Sequence, residues 1–283
     1  MKTCFIHKED RPFFERAGLT GYNDISSLKG DVVSKKGKRP VYRIVLSDGR
    51  AQRVFYLKKS PRCPARDLFK RLRKGVGPHG DAYVENAQIE LYKKAGIPVM
   101  DIAAWGEHRV FGWPVAGFLL ASDVPGERLD RIIRTCTDDE RKTIFFHYGE
   151  LIAKMHLNGL RDIARVQDII YSNDNGIKLT VIDREHGIPK TAPLTESDRA
   201  DVLARTYLKN LSALGAKDAM YDEMTSLLEG YCDQQQQSPM SRHSLESSIH
   251  LFITERIATK KKFSRLKQIL SAPVQNVKLN NKP

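Results

Sequence analysis

The chain has 283 residues, of which 41% are hydrophobic, so it is long enough to bury one large core or two smaller ones. No apolar run reaches the roughly 18 residues of a membrane span, and the first eight residues lack the apolar stretch of a signal peptide. The four cysteines are far apart and show no paired spacing, which argues against a zinc site and a disulfide framework. We therefore expect a globular cytoplasmic protein.

The net charge of +13 is unevenly distributed along the chain. Between Lys35 and Lys74 there are fifteen Lys or Arg and two acids, and a second basic cluster extends from Arg256 to Lys267. This local density favours an anionic partner over a merely solubilising surface. Nucleic acid, anionic lipid and a phosphorylated glycolipid all fit the charge, so the class of partner stays open at this point.

The first third of the chain is predicted to be rich in β structure. Alternating apolar residues bounded by turn signals predict five strands, at 31–33, 41–46, 54–58, 100–105 and 117–122. The turn Ser47-Asp48-Gly49 joins the second and third strands as a hairpin. Apolar residues at helical spacing predict a helix over 82–95, which ends at Gly96 before Pro98.

After the break at 123–126 the periodicity becomes helical. Thr137 and Glu140 have the spacing of a capping box, ahead of an apolar stripe that runs from Ile144 to Met155. Three later segments are also predicted to be helical, at 195–214, 217–232 and 245–270, with the glutamine run 234–239 as a linker. The last helix is amphipathic and basic, so docking on a membrane surface and packing against the helical lobe both stay open.

Two aspartates flank a predicted hairpin between these helices. Asp168 opens the apolar run to Tyr171, Asp183 closes the run that starts at Ile177, and an Asn- and Gly-rich turn joins the runs. Because the outer ends of paired strands lie side by side, we expect both carboxylates to face one cleft. Such a pair suits magnesium, which takes a few carboxylate oxygens together with the phosphate oxygens of a nucleotide. Taken alone, a surface hairpin with acidic flanks explains the pattern about equally well.

A small β lobe with one helix, a short hinge and a helical lobe with an acidic hairpin form the layout of an α+β, two-lobed protein-kinase-like fold. Between Leu28 and Gly187 the order of residues resembles the lipopolysaccharide-core sugar kinases of Gram-negative bacteria, which include the heptose and 3-deoxy-manno-octulosonic acid kinases. The segments that carry the resemblance are the opening strand and phosphate-covering loop at 28–33, the lysine strand at 54–59, the helix and following strand at 85–100, and the magnesium-aspartate segment at 182–186.

On this resemblance we divide the chain into four parts. Residues 1–29 are an N-terminal extension, and residues 30–122 are the N-lobe, which binds the nucleotide. Residues 123–233 form the C-lobe with the catalytic loop and the metal site, and residues 234–283 form the linker and the basic C-terminal helix.

The resemblance implies roles for particular residues in binding ATP and Mg²⁺. Lys58 would neutralise the nucleotide phosphates while Glu85 holds its ammonium group, and Lys59 is the alternative lysine because a strand points only one of the two inward. Asp183 would bind the magnesium ion that bridges the phosphates.

Three further positions are implied to contact the nucleotide. Gly37 lies in the connection that follows the opening strand. Leu120 and Asp123 lie in the hinge, where backbone groups would contact adenine.

The catalytic loop departs from the pattern of the family. Its relatives have His-Arg-Asp and, five residues after the aspartate, a His or Asn that binds metal, whereas this chain lacks the histidine and has Gln167 at the later position. Asp162 is the candidate base that accepts the proton of the substrate hydroxyl, and a pairing with Arg161 or Arg165 is the competing structural role. The second metal ligand is then either Gln167, a poor ligand for magnesium, or Asp168 in a remodelled loop.

Together with these residues, the resemblance implies an ATP- and magnesium-dependent phosphotransferase that acts on a sugar hydroxyl of the lipopolysaccharide core or a related glycolipid, at the inner face of the cytoplasmic membrane. A pseudokinase that acts as a binding or regulatory module is the first alternative, favoured by the missing histidine and by Gln167. A nucleic-acid-binding protein is the second, but Phe69 is the single aromatic residue in the basic segment 58–74, whereas proteins that stack on bases use several. We therefore expect a sugar-containing acceptor and an anionic membrane surface as partners rather than nucleic acid.

Overall fold

The computed structural model describes residues 1–34, 39–73, 75–184, 191–214, 221–236 and 239–259. Within these ranges the chain forms a mainly β N-lobe and a mainly helical C-lobe, as predicted. The strands are β1 (Lys2–Ile6), β2 (Asp31–Ser34), β3 (Val41–Ser47), β4 (Gln52–Ser60), β5 (Ile102–Val110), β6 (Trp113–Ser122), β7 (Glu127–Arg128), β8 (Ile169–Ser172) and β9 (Lys178–Val181). The helices are α1 (Arg11–Arg16), α2 (Tyr22–Ser27), α3 (Ala65–Arg73), α4 (Asp81–Lys94), α5 (Leu129–Thr135), α6 (Asp138–Leu157), α7 (Glu196–Leu214), α8 (Tyr221–Gln234) and α9 (Pro239–Thr259).

The N-lobe is built on a six-stranded antiparallel sheet with the strand order β1-β5-β6-β4-β3-β2. The predicted hairpin is confirmed as β3 and β4, whose turn contains Gly49 at a φ of +83°. In the same turn the Asp48 carboxylate accepts hydrogen bonds from the backbone N–H groups of Arg50 and Ala51, at 2.9 and 2.8 Å. A short polar side chain that bonds to the backbone two and three residues on is a standard way to hold such a turn.

Three elements ahead of residue 30 were not predicted. Strand β1 pairs with β5 along its whole length, and so forms one edge of the sheet. Helices α1 and α2 bury Phe13, Phe14 and Ile25 in the same hydrophobic cluster as Phe55 of β4. Residues 2–27, which were predicted to form an extension, therefore contribute a strand and two helices to the N-lobe.

Two helices follow β4. The first, α3, lies within the basic segment 58–74, for which no helix was predicted. The second, α4, is the predicted helix, and it ends as expected, with Gly96 at a φ of +66° ahead of Pro98. Glu85 lies on the buried side of α4, where it faces the sheet.

The C-lobe is organised around α6, which packs closely against α8. The capping box at its start is confirmed, because Thr137 Oγ1 accepts from the Glu140 N–H at 3.4 Å and the Glu140 carboxylate accepts from the Thr137 N–H at 2.8 Å. Helix α9 begins at Pro239, six residues before its predicted start, and its predicted basic end beyond 259 lies outside the described residues. No helix within the described ranges is both long enough and apolar enough to cross a bilayer.

Candidate active site

Lys58 lies at the centre of a charged cluster between the two lobes. It stands near the end of β4 with 7% of its surface exposed. Its Nζ donates to Oε1 of Glu85 at 2.5 Å and to Oδ1 of Asp183 at 3.1 Å. The next residue, Lys59, instead donates to the Leu28 carbonyl at 2.8 Å, so Lys58 is the lysine that reaches the two acids.

The Glu85 carboxylate is fully buried and has a second cationic partner. Arg39 Nη2 donates to Glu85 Oε2 at 3.3 Å, and Arg39 Nε donates to Ser60 Oγ at 2.9 Å. A buried carboxylate between two cations has the compensation that its burial requires. Arg39 was not predicted, because it lies in a connection where no periodicity distinguishes one basic residue from another.

The hairpin β8–β9 brings the two predicted metal ligands together. Ile169 pairs with Val181, and the Ile182 N–H donates to the Asp168 carbonyl at 2.9 Å, so Asp168 lies beside the segment that carries Asp183. The hairpin is also joined to the chain after α4, because the Met100 N–H donates to the Val181 carbonyl at 2.9 Å. These bonds place Asp168 beside the segment of Asp183, whose carboxylate reaches Lys58.

The two aspartates have pKa values that shift in opposite directions. Burial raises the pKa of Asp168, and the nearby Asp183 charge adds to the increase, although Arg165 donates to Asp168 Oδ2 at 2.5 Å and opposes it. Burial also disfavours the charged form of Asp183, but Lys58, with help from Arg165 and Arg184, outweighs it and lowers the pKa of that carboxyl. Acids whose surroundings separate their pKa values in this way are characteristic of functional sites.

The donor set at this cluster fits a magnesium ion that is bound together with a nucleotide. Among the residues that the structure describes, no group of three or more His, Cys, Asp or Glu could hold a metal ion by itself. Magnesium needs no such group, since one or two carboxylates and the phosphates of its nucleotide complete its shell. Asp168 and Asp183 could supply these carboxylates, while Gln167 is partly exposed in a short 3-10 turn that precedes β8.

Asp162, the candidate base, is held by helix α4. Its Oδ2 accepts from Gln88 Nε2 at 2.5 Å and from the Tyr92 hydroxyl at 2.9 Å. Neither arginine of the competing structural role pairs with Asp162: Arg161 pairs with Asp198 at 2.6 Å, and Arg165 pairs with Asp168. Gln88 and Tyr92 follow Glu85 by three and seven residues, so helical periodicity places all three on one face of α4. This spacing is the sequence signal from which the two residues could have been predicted.

Arg184 also contacts Tyr92. It is 5% exposed, and its guanidinium lies over the Tyr92 ring at 5.2 Å from the centroid. Its Nη1 donates to the Ile163 carbonyl at 3.3 Å. Arg184 therefore links the segment after Asp183 to both α4 and the predicted catalytic loop, a role that was not predicted from the sequence.

The predicted adenine contacts lie at the end of β6. Leu120 is buried within the strand, and Asp123 is exposed just after it. The Asp123 N–H donates to the Val54 carbonyl at 3.1 Å, so this donor is already bonded within the lobe. Gly37, the predicted glycine of the phosphate-covering loop, lies outside the described residues.

Comparisons with known proteins identify the fold. No protein-family model matches the chain, and no curated protein matches it. Among solved structures, the chain is similar to "WaaP in complex with acyl carrier protein", with 17% sequence identity, a TM-score of 0.62, and coverage of 90% of this chain and 98% of that one. A second match, the pseudokinase domain of BIR2, an immune regulator of the RLK/Pelle family, has 11% identity and a TM-score of 0.36, covers 92% of this chain and 83% of that one, and is too distant to carry an argument. The similarity to WaaP is one of fold, and it confirms the two-lobed protein-kinase-like architecture and the structural resemblance to the lipopolysaccharide-core sugar kinases.

Proposed function

We propose that this protein is a kinase that transfers the γ-phosphoryl group of magnesium-bound ATP to a sugar hydroxyl of the lipopolysaccharide core or a related glycolipid. The observation that carries the proposal is the position of Lys58 Nζ, which lies 2.5 Å from Glu85 and 3.1 Å from Asp183. A strand lysine that is fixed by a helix glutamate, next to an aspartate that follows a short hairpin, is the arrangement that kinases use for nucleotide phosphates and their metal.

Each residue of the cluster has a specific task in this proposal. Lys58 binds nucleotide phosphates, and the buried Glu85 fixes the direction of its ammonium group. Asp183 and Asp168 would hold magnesium, which when bound neutralises the phosphates and orients the transferred group. Arg165, which pairs with Asp168, keeps that carboxylate oriented toward the cluster.

Transfer does not depend on a strong base in this site. The transition state of phosphoryl transfer is loose, so positioning and electrostatic stabilisation matter more than removal of the hydroxyl proton. Asp162 therefore stays a candidate base, although Gln88 and Tyr92 already bond to one of its oxygens.

The nature of the acceptor and the cellular location are proposed from the resemblance to lipopolysaccharide-core kinases. A glycolipid acceptor is anchored in a bilayer, so the enzyme would act from the cytoplasm at the inner face of the membrane. The basic N-lobe suits such a surface.

Phosphate transfer to purified core oligosaccharide tests this function. With magnesium and ATP, Asp183→Ala should reduce transfer by at least about 100-fold, since it removes the acid that would hold the metal. Asp174→Ala is the matched control, because Asp174 is exposed in the turn of the same hairpin. This variant should transfer phosphate as fast as the wild type. Equal turnover by the wild type and Asp183→Ala would remove Asp183 from the mechanism.

A pseudokinase is the second candidate, and the hydrogen bonds that Asp162 makes to α4 favour it. A protein of this kind would bind the nucleotide without transferring phosphate. A magnesium-ATP-dependent rise in thermal stability, with no transfer to any sugar acceptor, would support it. Such a rise would be lost in Lys58→Met, because the methionine keeps the volume of the lysine and removes the ammonium group.

A further inference from the structure

A bulky aromatic residue occupies a strained and exposed position at the tip of the β5–β6 hairpin. Val110 pairs with Trp113, so the loop is the two residues Phe111 and Gly112, with φ values of +48° and +80°. Two-residue loops with both φ values positive are type I′ turns, which favour Asn, Asp and Gly. Phe111 is nevertheless 97% exposed. Its backbone conformation costs stability, and its exposed ring contributes no burial that would offset the cost.

Other exposed apolar side chains lie at the same end of the sheet. Val110 and Trp113, which flank the turn, are 42% and 44% exposed. On helix α3, Phe69 and Leu72 are 68% and 37% exposed.

Backbone hydrogen bonds tie α3 to this hairpin. Ser60, the last residue of β4, lies opposite Gly117, and the Cys63 N–H donates to the Val115 carbonyl at 2.9 Å. The chain after β4 therefore runs along β6 toward the turn at 111–112, so α3 starts at the hairpin end of the sheet.

Side chains make a second connection between α3 and the hairpin. Arg71 of α3 donates to the His79 carbonyl at 3.0 Å. The His79 ring lies 3.0 Å from a guanidinium nitrogen of Arg109 on β5. These contacts hold α3 beside the hairpin.

We call this surface the tip patch. Its apolar members are Phe69, Leu72, Val110, Phe111 and Trp113, and the exposed arginines of the adjoining segment are Arg62, Arg66 and Arg73. Trp and Phe side chains interleaved with arginines are the composition of surfaces that lie in the headgroup region of a bilayer. The arginines also complement the negative potential of anionic lipids.

We propose that the tip patch docks the protein on an anionic lipid bilayer, with Phe111 and Trp113 inserted among the lipids. This proposal rests on the proposed function, because that function requires an acceptor that is anchored in a membrane. Lys58 pairs with Leu119, which is seven residues from Gly112 along β6. At roughly 3.3 Å per strand residue, a bilayer that took up the tip would lie within about 25 Å of the catalytic cluster.

Tryptophan fluorescence provides a direct test of the docking. The chain has two tryptophans, and Trp105 stacks on Phe5 with ring centroids 4.5 Å apart, so a Trp105→Phe background leaves Trp113 as the reporter. Vesicles of phosphatidylglycerol mixed with phosphatidylcholine should shift its emission to shorter wavelength, whereas pure phosphatidylcholine should have a much smaller effect. An unshifted emission with both vesicles would overturn the proposal.

Phe111→Asn separates a docking role from a structural one. Asparagine suits a positive φ, so this variant should unfold at a higher temperature than the wild type. It should also bind the anionic vesicles about tenfold or more weakly in sedimentation, because the inserted ring is lost. A more stable variant that binds vesicles as tightly as the wild type would contradict the proposal.

Two controls test whether another surface binds the membrane and whether the tip patch binds a protein instead of lipid. Leu251→Ser removes a side chain of α9 that is 66% exposed, and it should leave vesicle binding unchanged. If Leu251→Ser abolished binding while Phe111→Asn did not, the C-terminal helix would be the membrane surface and the proposal would be wrong. The proposal would also fail if Phe111→Asn changed only self-association in the ultracentrifuge, or only binding to acyl carrier protein. Vesicle binding needs no catalysis, so a protein that docks without transferring phosphate would refute the proposed function alone.

Discussion

At the scale of single residues, the role of Asp162 can be decided by a double-mutant cycle with Tyr92. The Asp162 carboxylate accepts from the Tyr92 hydroxyl at 2.9 Å, and Tyr92 lies two helical turns beyond Glu85. If Asp162 acts by holding α4, Asp162→Asn and Tyr92→Phe each remove part of the same interaction, so their effects on transfer should not add. We expect each variant to lose less than about tenfold in kcat, and the double variant to resemble the weaker single one.

A catalytic base would give a different result in that cycle. Loss of a general base typically costs about 100-fold or more, and it alters the pH dependence of the rate. A large loss in Asp162→Asn with an unchanged Tyr92→Phe would therefore assign the base to Asp162. The same cycle measured by urea unfolding reports the coupling even if the protein has no kinase activity.

The residues of the cluster differ in how far the sequence could predict them. Lys58, Glu85 and Asp183 were identified by their order along the chain, and the structure brings them together. The choice between Lys58 and Lys59 required the strand's orientation, which alternation alone does not give. Arg184 was overlooked because a buried arginine is recognisable only through its neighbours, and its neighbour Tyr92 lies on a helix about 90 residues earlier.

At the scale of elements, the contact between α6 and α8 depends on two glycines. A Cβ atom at Gly149 would lie 1.9 Å from the Leu227 carbonyl oxygen, and one at Gly230 would lie 2.0 Å from that of Phe146. Helix propensity alone predicts that Gly→Ala stabilises a helix by about 1 kcal/mol. Because the neighbours here are backbone atoms, we expect Gly149→Ala and Gly230→Ala each to destabilise the protein by about 3 kcal/mol in urea unfolding.

Lys154→Ala is a suitable control for that experiment, since Lys154 is exposed on the same helix α6. It should change the free energy of unfolding by less than about 0.5 kcal/mol. Stabilisation by either glycine variant would show that the two helices are further apart than the structure has them.

Elements with a periodic pattern or a clear turn signal were predicted, whereas β1 and α3 were missed. The apolar stripe and capping box identified α6, and the turn at Asp48-Gly49 identified the β3–β4 hairpin. Strand β1 has five residues and no partner nearby in the sequence, because it pairs with β5 about 100 residues later. Helix α3 has nine residues, five of them charged, so its few apolar residues were not enough to identify it.

At the scale of the whole molecule, the order of β and helical segments was enough to predict the two lobes. The order of segments does not predict which residues join the two lobes. The Val181 N–H donates to the Pro98 carbonyl and the Met100 N–H donates to the Val181 carbonyl, both at 2.9 Å. These two backbone bonds join the C-lobe hairpin to the N-lobe, and they place Asp183 within reach of Lys58.

The stability of the whole protein should decrease when the pH is lowered from 7 to 5, and His156 should be a main cause. This residue of α6 is 1% exposed and shares a hydrogen bond with the Tyr231 hydroxyl at 2.9 Å. Burial, with the nearby Arg199 and Arg205, lowers its pKa to about 3, whereas an unfolded histidine has a pKa of about 6.5. Between these values the unfolded chain binds a proton that the native protein does not, so stability falls with pH by at most about 1.4 kcal/mol per unit.

Other groups with shifted pKa values change the stability between pH 7 and pH 5 by less than His156 does, or in the opposite direction. Burial lowers the pKa of His79, which adds a smaller loss in the same direction. The lowered pKa values of Asp81 and Asp183 give stability that is lost only as the pH falls below about 4, the pKa of an unfolded aspartate. Asp168, whose pKa is raised, takes up a proton more readily in the native protein and so partly offsets the loss.

Urea unfolding at pH 7 and pH 5 therefore tests His156 against a variant that cannot titrate. In His156→Asn the amide replaces the ring nitrogen that meets Tyr231, so the hydrogen bond can be kept without the proton uptake. The wild type should lose about 2 kcal/mol between the two pH values, and the variant should lose much less. Because the net charge of +13 rises further in acid and adds self-repulsion, the comparison is made at high salt, where this term is screened in both proteins. An equal loss in both proteins would show that the native state protonates His156 as readily as the unfolded chain does.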